Sequence, residues 1–288
     1  MRKYEVKDHE FSLVPDGEDW ELVWSDEFDG DQLDETKWNY RLNYWGQRAE
    51  QFTDKGVYLD GRGNVVFKPV VEDGKVKSSQ LQTGGNSFDE LDLSGAIKNR
   101  LDGNRGDNPW GQIEIWPLRS IRKPKFMHKY GYYEARVKFQ NQYFWWSAFW
   151  LQAPGIGITF DPAYSGVEND IVENFGGGNL TSGNIYGGYG KNFQENARIS
   201  YPYVEDGKYH RFGLEWNEKG YVFYFDGKET ARTDSPVSQV EQFIILSTEI
   251  GGYRSGFQKT QWTEEQLSDR FFCDYVRVFD KKTPKDNF

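Results

Sequence analysis

The sequence predicts an all-β protein built as a sandwich of antiparallel sheets. Aromatic residues make up 17% of the 288 residues and 31 residues are glycine, a mixture typical of strands joined by tight turns. Short strand-like runs recur between turn signals, and long amphipathic helical patterns are missing. Many strands at this spacing favour a sandwich. We expect one domain over residues 1–288, with its core between about residues 20 and 280.

Eight runs carry the strand signal. They are residues 20–28, 64–72, 130–139, 145–152, 209–216, 221–232, 242–250 and 271–279. Two successive hairpins are predicted, with turns at Asn217 to Gly220 and at Asp226-Gly227. One short helix is expected at TEEQLSDRF, where Thr263 would cap the N-terminus and the following glutamates suit the helix dipole.

Charge and cysteine content exclude several classes of function. A formal net charge of −10 argues against nucleic acid or an anionic membrane as the main partner, because the overall field repels phosphates. Cys273 is the only cysteine, so neither an intramolecular disulfide nor a cysteine-based metal cluster can form. No apolar run of about 18 residues predicts a membrane span. The first residues lack the apolar region of a signal peptide, so we expect either a cytoplasmic protein or one whose export signal has been removed.

The most informative stretch is SGVENDIVENFGG, residues 165–177, which places three acids among apolar residues. On an α-helix, Asp170 and Glu173 would lie about 200° and about 140° around the axis from Glu168, too scattered for one site. On a strand, Glu168 and Asp170 share a face, and Glu173 joins them only if one extra residue is inserted. A β-bulge at Ile171-Val172 would supply that residue, so we predict a bulged strand.

Three acids on one face repel one another, so the arrangement points to metal binding or to acid–base chemistry. Without histidine they suit Ca²⁺ or Mg²⁺ rather than Zn²⁺, but a row along one strand makes a poor coordination cage. Hydrolysis of a glycosidic bond needs one ionised carboxylate that attacks the anomeric carbon and one protonated carboxyl that donates to the leaving oxygen. Repulsion between the acids helps one of them to keep its proton near neutral pH. A retaining mechanism requires the two carboxyls to lie about 5–5.5 Å apart.

Other segments accompany the acidic pattern in a fixed order. They are WSDEFDGDQLDETKWN near the start, HKYGYYEARVKF and WWSAFWLQ before the acids, YHRFGLEWNEKGYVFYFDGK after them, and DYVRVFD at the end. Together with the E-x-D-x-x-E pattern of Glu168, Asp170 and Glu173, this ordered set resembles glycoside hydrolase family 16 over about residues 20–280. Asn169 departs from the family, in which an aliphatic residue is common, and we expect its side chain to point away from the cleft.

The resemblance implies a β-jelly roll of two curved antiparallel sheets with an open concave cleft. It also implies an endo-acting enzyme in which Glu168 resembles the nucleophile, Glu173 the acid/base and Asp170 the assisting carboxylate. Double displacement of this kind retains the anomeric configuration and needs no cofactor. Some family members carry a structural Ca²⁺ on the convex side, and Asp274 is the residue that resembles one of its ligands.

Aromatic residues are the candidates for sugar binding. In WWSAFWLQ, strand alternation puts Trp146, Ala148 and Trp150 on one face, and the family resemblance favours this face for stacking of sugar rings on indole. The alternative, in which these tryptophans belong to the core, stays open at this point. Trp45 lies in a loop containing glycine and asparagine and is a further candidate platform, with Glu50 as a partner for sugar hydroxyls.

Other polar residues carry weaker signals. Tyr186 stands in the strand after the acids, where family members frequently have a histidine, and Glu249 either reaches the cleft or only pairs on a sheet face. We expect His210 to be a structural histidine in a strand. The basic run at residues 119–129 either binds sulfate esters of a polysaccharide or forms a solvated loop.

The block of YGYYEARVKF and WWSAFWLQ and the strand STEIGGY resemble the agarase and porphyranase branch of the family more than its laminarinases. A β-linked galactan such as agar or porphyran is therefore the expected substrate. A β-1,3-glucanase and a mucin- or keratan-type galactan hydrolase stay open, because specificity depends on loops such as residues 153–165 and 251–262. A non-catalytic lectin is disfavoured, because three adjacent acids cost stability without chemistry. Since polysaccharides do not enter cells intact, we expect a secreted, periplasmic or cell-surface monomer whose partner is the polysaccharide.

Overall fold

Nineteen strands and two short helices occur in the part of the chain that the computed structural model describes, which is residues 1–42, 51–87, 114–115, 123–143, 145–203, 205–234, 236–250 and 261–282. The strands are β1 (Arg2–Tyr4), β2 (Ser12–Val14), β3 (Trp20–Asp26), β4 (Asn39–Tyr40), β5 (Val57–Leu59), β6 (Val65–Phe67), β7 (Val70–Glu72), β8 (Lys75–Lys77), β9 (Gln80–Gln82), β10 (Gly131–Lys138), β11 (Trp145–Gln152), β12 (Glu168–Asn174), β13 (Asn179–Tyr186), β14 (Gln194–Pro202), β15 (His210–Asn217), β16 (Gly220–Phe225), β17 (Lys228–Thr233), β18 (Phe243–Ile250) and β19 (Phe271–Lys281). The helices are α1 (Pro162–Ser165) and α2 (Glu264–Ser268). No helix in the described ranges is long and apolar enough to cross a bilayer.

Two large sheets form the sandwich. The eight-stranded sheet has the order β17-β16-β15-β10-β19-β6-β5, and β3 also pairs with β19. The seven-stranded sheet has the order β14-β13-β12-β11-β18-β9-β4. The strand pairs of both sheets are antiparallel. The predicted all-β architecture of antiparallel sheets is confirmed.

The main core lies between the two sheets. Phe149, Val172 and Leu246 extend from the seven-stranded sheet and meet Tyr133 and Val278 from the eight-stranded sheet, and all five are buried. Burial of each such side chain contributes about 1.5–3 kcal/mol. Because side chains alternate along a strand, the intervening residues of β11, β12 and β18 point away from this core. We call that side of the seven-stranded sheet the outer face.

The N-terminal hairpin of β1 and β2 covers the far side of the eight-stranded sheet. A second apolar cluster is buried there, formed by Val14, Trp20, Tyr132 and Phe279. Glu134 of β10 is fully buried beneath the hairpin, where it accepts hydrogen bonds from the backbone of Leu13 at 3.0 Å and from the hydroxyl of Tyr275 at 2.7 Å. Burial raises the pKa of Glu134, and these hydrogen bonds oppose the rise. This acid therefore fastens the hairpin to the sheet.

Local signals in the sequence are confirmed at three places. β15 ends at Asn217 and β16 begins at Gly220, as predicted. The next turn contains Asp226 and Gly227 with φ angles of 45° and 76°, which is the left-handed pair that a tight hairpin requires. Thr263 caps α2 through a complete capping box.

His210 lies between two aspartates at the start of β15. Its Nδ1 is 2.7 Å from Asp226 and its Nε2 is 3.2 Å from Asp206. The hydrogen bond with Asp226 raises the pKa of His210, and burial opposes the rise. Protonated His210 therefore stabilises the fold below the unfolded pKa of 6.5, and this contribution is lost as the pH rises through the raised folded pKa.

We expect His210→Gln to lower the free energy of unfolding at pH 5.5 by no more than about 1 kcal/mol, because the pair with Asp226 is partly exposed. The variant should also lose the decline in stability that the wild type shows between about pH 6 and 8. Urea unfolding at both ends of this range measures the effect. Parallel pH dependence in the wild type and the variant would contradict it.

Candidate active site

β12 contains the predicted bulge. Its pairing with β11 and with β13 shifts register directly after Asp170. Ile171 and Val172, the two residues before Glu173, both lie in the main core. Since two consecutive side chains point inward, Asp170 and Glu173 both point to the outer face. The bulge therefore brings Glu173 to the same face as Asp170, as the sequence analysis predicts.

Asn169 is turned away from the acids, as expected. Its Nδ2 donates to Oε1 of Gln242 at 2.7 Å, and its Oδ1 accepts a hydrogen bond from Asn184. All three side chains are buried. A polar residue is therefore tolerated between two acids because amides on neighbouring segments satisfy it.

Glu168 is oriented by two donors at one end of the row. Its Oε2 accepts a hydrogen bond from Nε2 of Gln152 at 2.8 Å and another from the hydroxyl of Tyr189. Gln152 ends β11, and Tyr189 lies in the glycine-rich turn between β13 and β14. The carboxylate is only 7% exposed, so these contacts restrict its rotation.

Glu173 has a different environment at the other end. Its Oε1 accepts a hydrogen bond from the indole Nε1 of Trp146 at 3.1 Å, and its Oε2 lies 3.6 Å from Nη2 of Arg198. The Trp146 ring stacks on Phe175 with centroids 5.1 Å apart. The indole is thereby fixed beside the carboxyl group.

Asp170 lies between the other two acids in the row. It is opposite Trp150 on β11 and opposite Gly183 on β13. Asp170 and Glu173 are 6% and 3% exposed, so water screens their mutual repulsion poorly. Acids in such a row, with unlike hydrogen-bond partners at the two ends, can take different protonation states, which is the requirement for one nucleophile and one proton donor.

The tryptophans of β11 divide between the two faces. Ala148 lies opposite Glu173 and Trp150 lies opposite Asp170, so the set of Trp146, Ala148 and Trp150 shares the outer face with the acids. Trp145, by contrast, belongs to the main core. Trp150 is only 8% exposed, whereas Trp146 is partly exposed and offers more ring surface. Contact of either ring with sugar stays a prediction.

Glu249 of β18 extends the polar surface beyond Trp146. The two residues are directly opposite each other, which places Glu249 on the outer face. It accepts a hydrogen bond from Nε2 of Gln80 at 3.3 Å. Ser247, two residues earlier, accepts a hydrogen bond from the indole of Trp150 at 3.0 Å. Polar groups therefore continue across β18 toward β9.

Tyr186, predicted as a substrate-binding residue, is the last residue of β13. Its neighbour Ile185 lies opposite Glu168, so strand alternation directs Tyr186 to the other face of β13. The tyrosine that contacts Glu168 is Tyr189, three residues further along the chain. A turn after the strand, rather than the strand itself, supplies the phenol.

Two predicted binding residues, Trp45 and Glu50, lie outside the described residues, as do Arg119 and Arg122 of the basic run. Lys125 of that run donates to the backbone carbonyl of Trp38 at 2.7 Å, a structural contact.

The described residues offer no ligand set for the predicted structural Ca²⁺ beside Asp274. Asp274 of β19 accepts a hydrogen bond from Arg136 at 2.6 Å. Burial raises the pKa of Asp274, and Arg136 opposes the rise. Among the residues that the structure describes, no group of three or more histidine, cysteine, aspartate or glutamate residues could hold a metal ion. A structural Ca²⁺ bound through Asp274 therefore stays a prediction without further ligands.

Sequence reasoning missed three residues of the site, which are Gln152, Tyr189 and Arg198. Gln152 follows Trp150 at a spacing of two, so alternation could have placed it on the outer face. Tyr189 stands among glycines in GGYG, a signal for a turn but not for its direction. The contact of Arg198 with Glu173 depends on the order of strands in the sheet, and no local pattern marks it.

The chain is similar to known proteins in sequence and in fold. Residues 118–274 match Glycosyl hydrolases family 16, which is more than half of the chain. The chain is 26% identical to beta-porphyranase B of Phocaeicola plebeius, with 97% of this chain and 94% of that protein covered. It is also 26% identical to glucan endo-1,3-beta-glucosidase A1 of Niallia circulans, with 90% of this chain covered but 37% of that longer protein.

A solved structure supports the fold. The laminarinase catalytic domain of Thermotoga maritima superposes with a TM-score of 0.64 at 23% identity, with 92% of this chain and 100% of that domain covered. The predicted jelly roll is confirmed by this likeness. Since the family match spans most of the region that carries the bulged strand and its neighbours, the chain belongs to glycosyl hydrolase family 16.

Proposed function

We propose that this family 16 glycoside hydrolase cuts within β-linked polysaccharide chains by a retaining double displacement, with Glu168 as nucleophile and Glu173 as acid/base. The observation that carries this proposal is the bulged strand β12, which aligns Glu168, Asp170 and Glu173 on the outer face. Their buried row lies beside a partly exposed indole, a surface suited to a sugar ring.

In the first step, Glu168 attacks the anomeric carbon while Glu173 gives its proton to the glycosidic oxygen. The hydrogen bonds from Gln152 and Tyr189 keep Oε2 of Glu168 in place and so restrict the direction of attack. In the second step, Glu173 takes a proton from water, and the resulting hydroxide displaces Glu168 from the sugar. Asp170 lies between the two and is assigned the assisting role.

For the substrate, we propose a β-linked galactan of the agar or porphyran type. The alignment with beta-porphyranase B supports this choice, because it covers nearly the full length of both proteins. A β-1,3-glucan is the second candidate, since glucan endo-1,3-beta-glucosidase A1 is equally identical in sequence over the aligned region. No structural Ca²⁺ is required by the proposed chemistry.

The proposal is tested by incubating the protein separately with agarose, porphyran, laminarin, mixed-linkage β-glucan and keratan. We expect new reducing ends from agarose or porphyran, with a fall in viscosity that precedes extensive release of sugar, since cuts occur within the chain. NMR of the first products should show the β-anomer. Cleavage of laminarin alone would overturn the galactan assignment, and binding without cleavage of any polymer would indicate a lectin.

A further inference from the structure

Arg198 lies beside the proposed acid/base because of a second irregularity in the seven-stranded sheet. The pairing of β13 with β14 shifts register between Ser182 and Asn184, so that β14 has an extra residue opposite Gly183. This bulge turns the side chain of Arg198 toward the outer face, where its Nη2 is 3.6 Å from Oε2 of Glu173. Two bulges on nearby strands thus bring a guanidinium to the end of the acidic row.

Gly183 makes this approach possible. A Cβ at this position would lie 2.9 Å from Cα of Arg198 and 3.2 Å from its Cβ. Real Cβ atoms essentially never come within 3.0 Å of another heavy atom, so a side chain at this position would push the backbone of β14 away. The strand that carries Arg198 therefore depends on a glycine directly opposite Asp170.

Arg198 is also held from its own strand. Glu195 accepts a hydrogen bond from Nη1 of Arg198, so the guanidinium bridges two carboxylates. The side chain of Glu195 is 35% exposed, whereas that of Glu173 is 4% exposed. One partner of the arginine is therefore at the surface and the other in the buried row.

Among the described residues, most of the other charges beside Glu173 are negative, and Arg41 lies over the ring of Trp150 further along the row. In the described residues, β11 presents the uncharged Trp146 and Ala148, and β13 presents the uncharged Thr181 and Gly183. The charged groups that face Glu173 from its own strand and from β14 and β18 are Glu168, Asp170, Glu195, Glu249 and Arg198. The guanidinium of Arg198 thus offsets part of the repulsion between these carboxylates.

We propose that Arg198, held by Glu195, is a positioning residue that sets the pH at which Glu173 carries its proton. This inference rests on the proposed function, in which Glu173 must be protonated to begin each cycle. A cation close to the acid favours the loss of its proton, so Arg198 lowers the pH at which activity falls on the alkaline side. Glu195 weakens this effect by neutralising part of the charge.

The test is the alkaline limb of the pH profile of kcat/KM for Arg198→Met, Arg198→Lys and Glu195→Gln. We expect Arg198→Met to move the limb upward by about one pH unit, an effect typical of losing a nearby opposite charge. Arg198→Lys should stay closer to the wild type, because it keeps the charge. Glu195→Gln should move the limb downward by a smaller amount. General damage to the fold would not move the alkaline limb upward in Arg198→Met and downward in Glu195→Gln.

Glu173→Gln, assayed beside the wild type on the same polysaccharide and at high enzyme concentration, separates the two proposals. Loss of the alkaline limb in that variant shows that the limb belongs to Glu173. If the limb then stays unmoved in Arg198→Met, or if only KM rises, the role of Arg198 is overturned and the hydrolase mechanism stands. An alkaline limb that persists in Glu173→Gln would instead overturn the assignment of the acid/base.

Discussion

Glu168→Gln is expected to reduce turnover of the polysaccharide by at least about 10³-fold, which corresponds to about 4 kcal/mol in the activation barrier. The amide nitrogen and oxygen of glutamine do not form the glycosyl ester that a carboxylate forms, so the first displacement fails. The substitution keeps the volume of the side chain, and the amide oxygen can still accept from Gln152 and Tyr189. Folding and oligosaccharide binding should therefore survive.

Three measurements check this prediction. Reducing-end assays give kcat, calorimetry gives the affinity for oligosaccharide, and thermal unfolding gives stability. Glu134→Gln is the matched control, because it replaces another buried glutamate that lies in the opposite sheet. It should lower stability but keep wild-type turnover per folded molecule. Wild-type turnover in Glu168→Gln would refute the assignment.

A smaller side chain at the same position tests the chemistry directly. In Glu168→Ala, azide can enter the space left by the carboxylate and attack an activated β-glycoside from the face that Glu168 normally uses. The product should be the α-glycosyl azide, with partial recovery of rate. Recovery with the β-configuration would place the nucleophile elsewhere.

The acidic row could be predicted from the sequence because two constraints agree in one short segment. In a regular strand, side-chain alternation would place Glu173 on the opposite face from Glu168. A site built from these two residues needs both side chains on one face. A bulge satisfies both, and the structure has it between Asp170 and Glu173. The face of Asn169 follows from the same alternation.

The surroundings of the row could not be predicted, because they depend on which strands are neighbours. β13 and β14 carry polar sequences, NLTSGNIY and QENARISYP, without the alternation that marks a half-buried strand. The register between them then decides that Arg198 reaches Glu173. The face of Tyr186 likewise depends on register, since a shift of one residue reverses the face of a side chain.

Glu173→Gln is expected to reduce turnover of the natural polysaccharide by about 10²- to 10⁴-fold, the range typical of a lost general acid. The size of the loss should depend on the leaving group. A sugar hydroxyl leaves poorly without a proton, whereas a dinitrophenolate leaves without help, so an aryl glycoside should still react quickly with Glu168. The glycosyl-enzyme should then accumulate, because no base activates water in the second step.

Azide distinguishes this variant from the first. Being already anionic, azide needs no general base, so it should attack the accumulated intermediate and restore turnover of the aryl glycoside. The product should be the β-glycosyl azide, because two displacements have occurred, in contrast to the α-product of Glu168→Ala. Trp146→Phe is a useful companion, since it removes the indole hydrogen bond to Oε1 of Glu173 but keeps an aromatic ring, and it should cost far less than the loss of the acid itself. If Glu173→Gln cleaves the polysaccharide and the aryl glycoside with equal losses, the carboxyl donates no proton to the leaving group, and the acid/base must be sought in another residue.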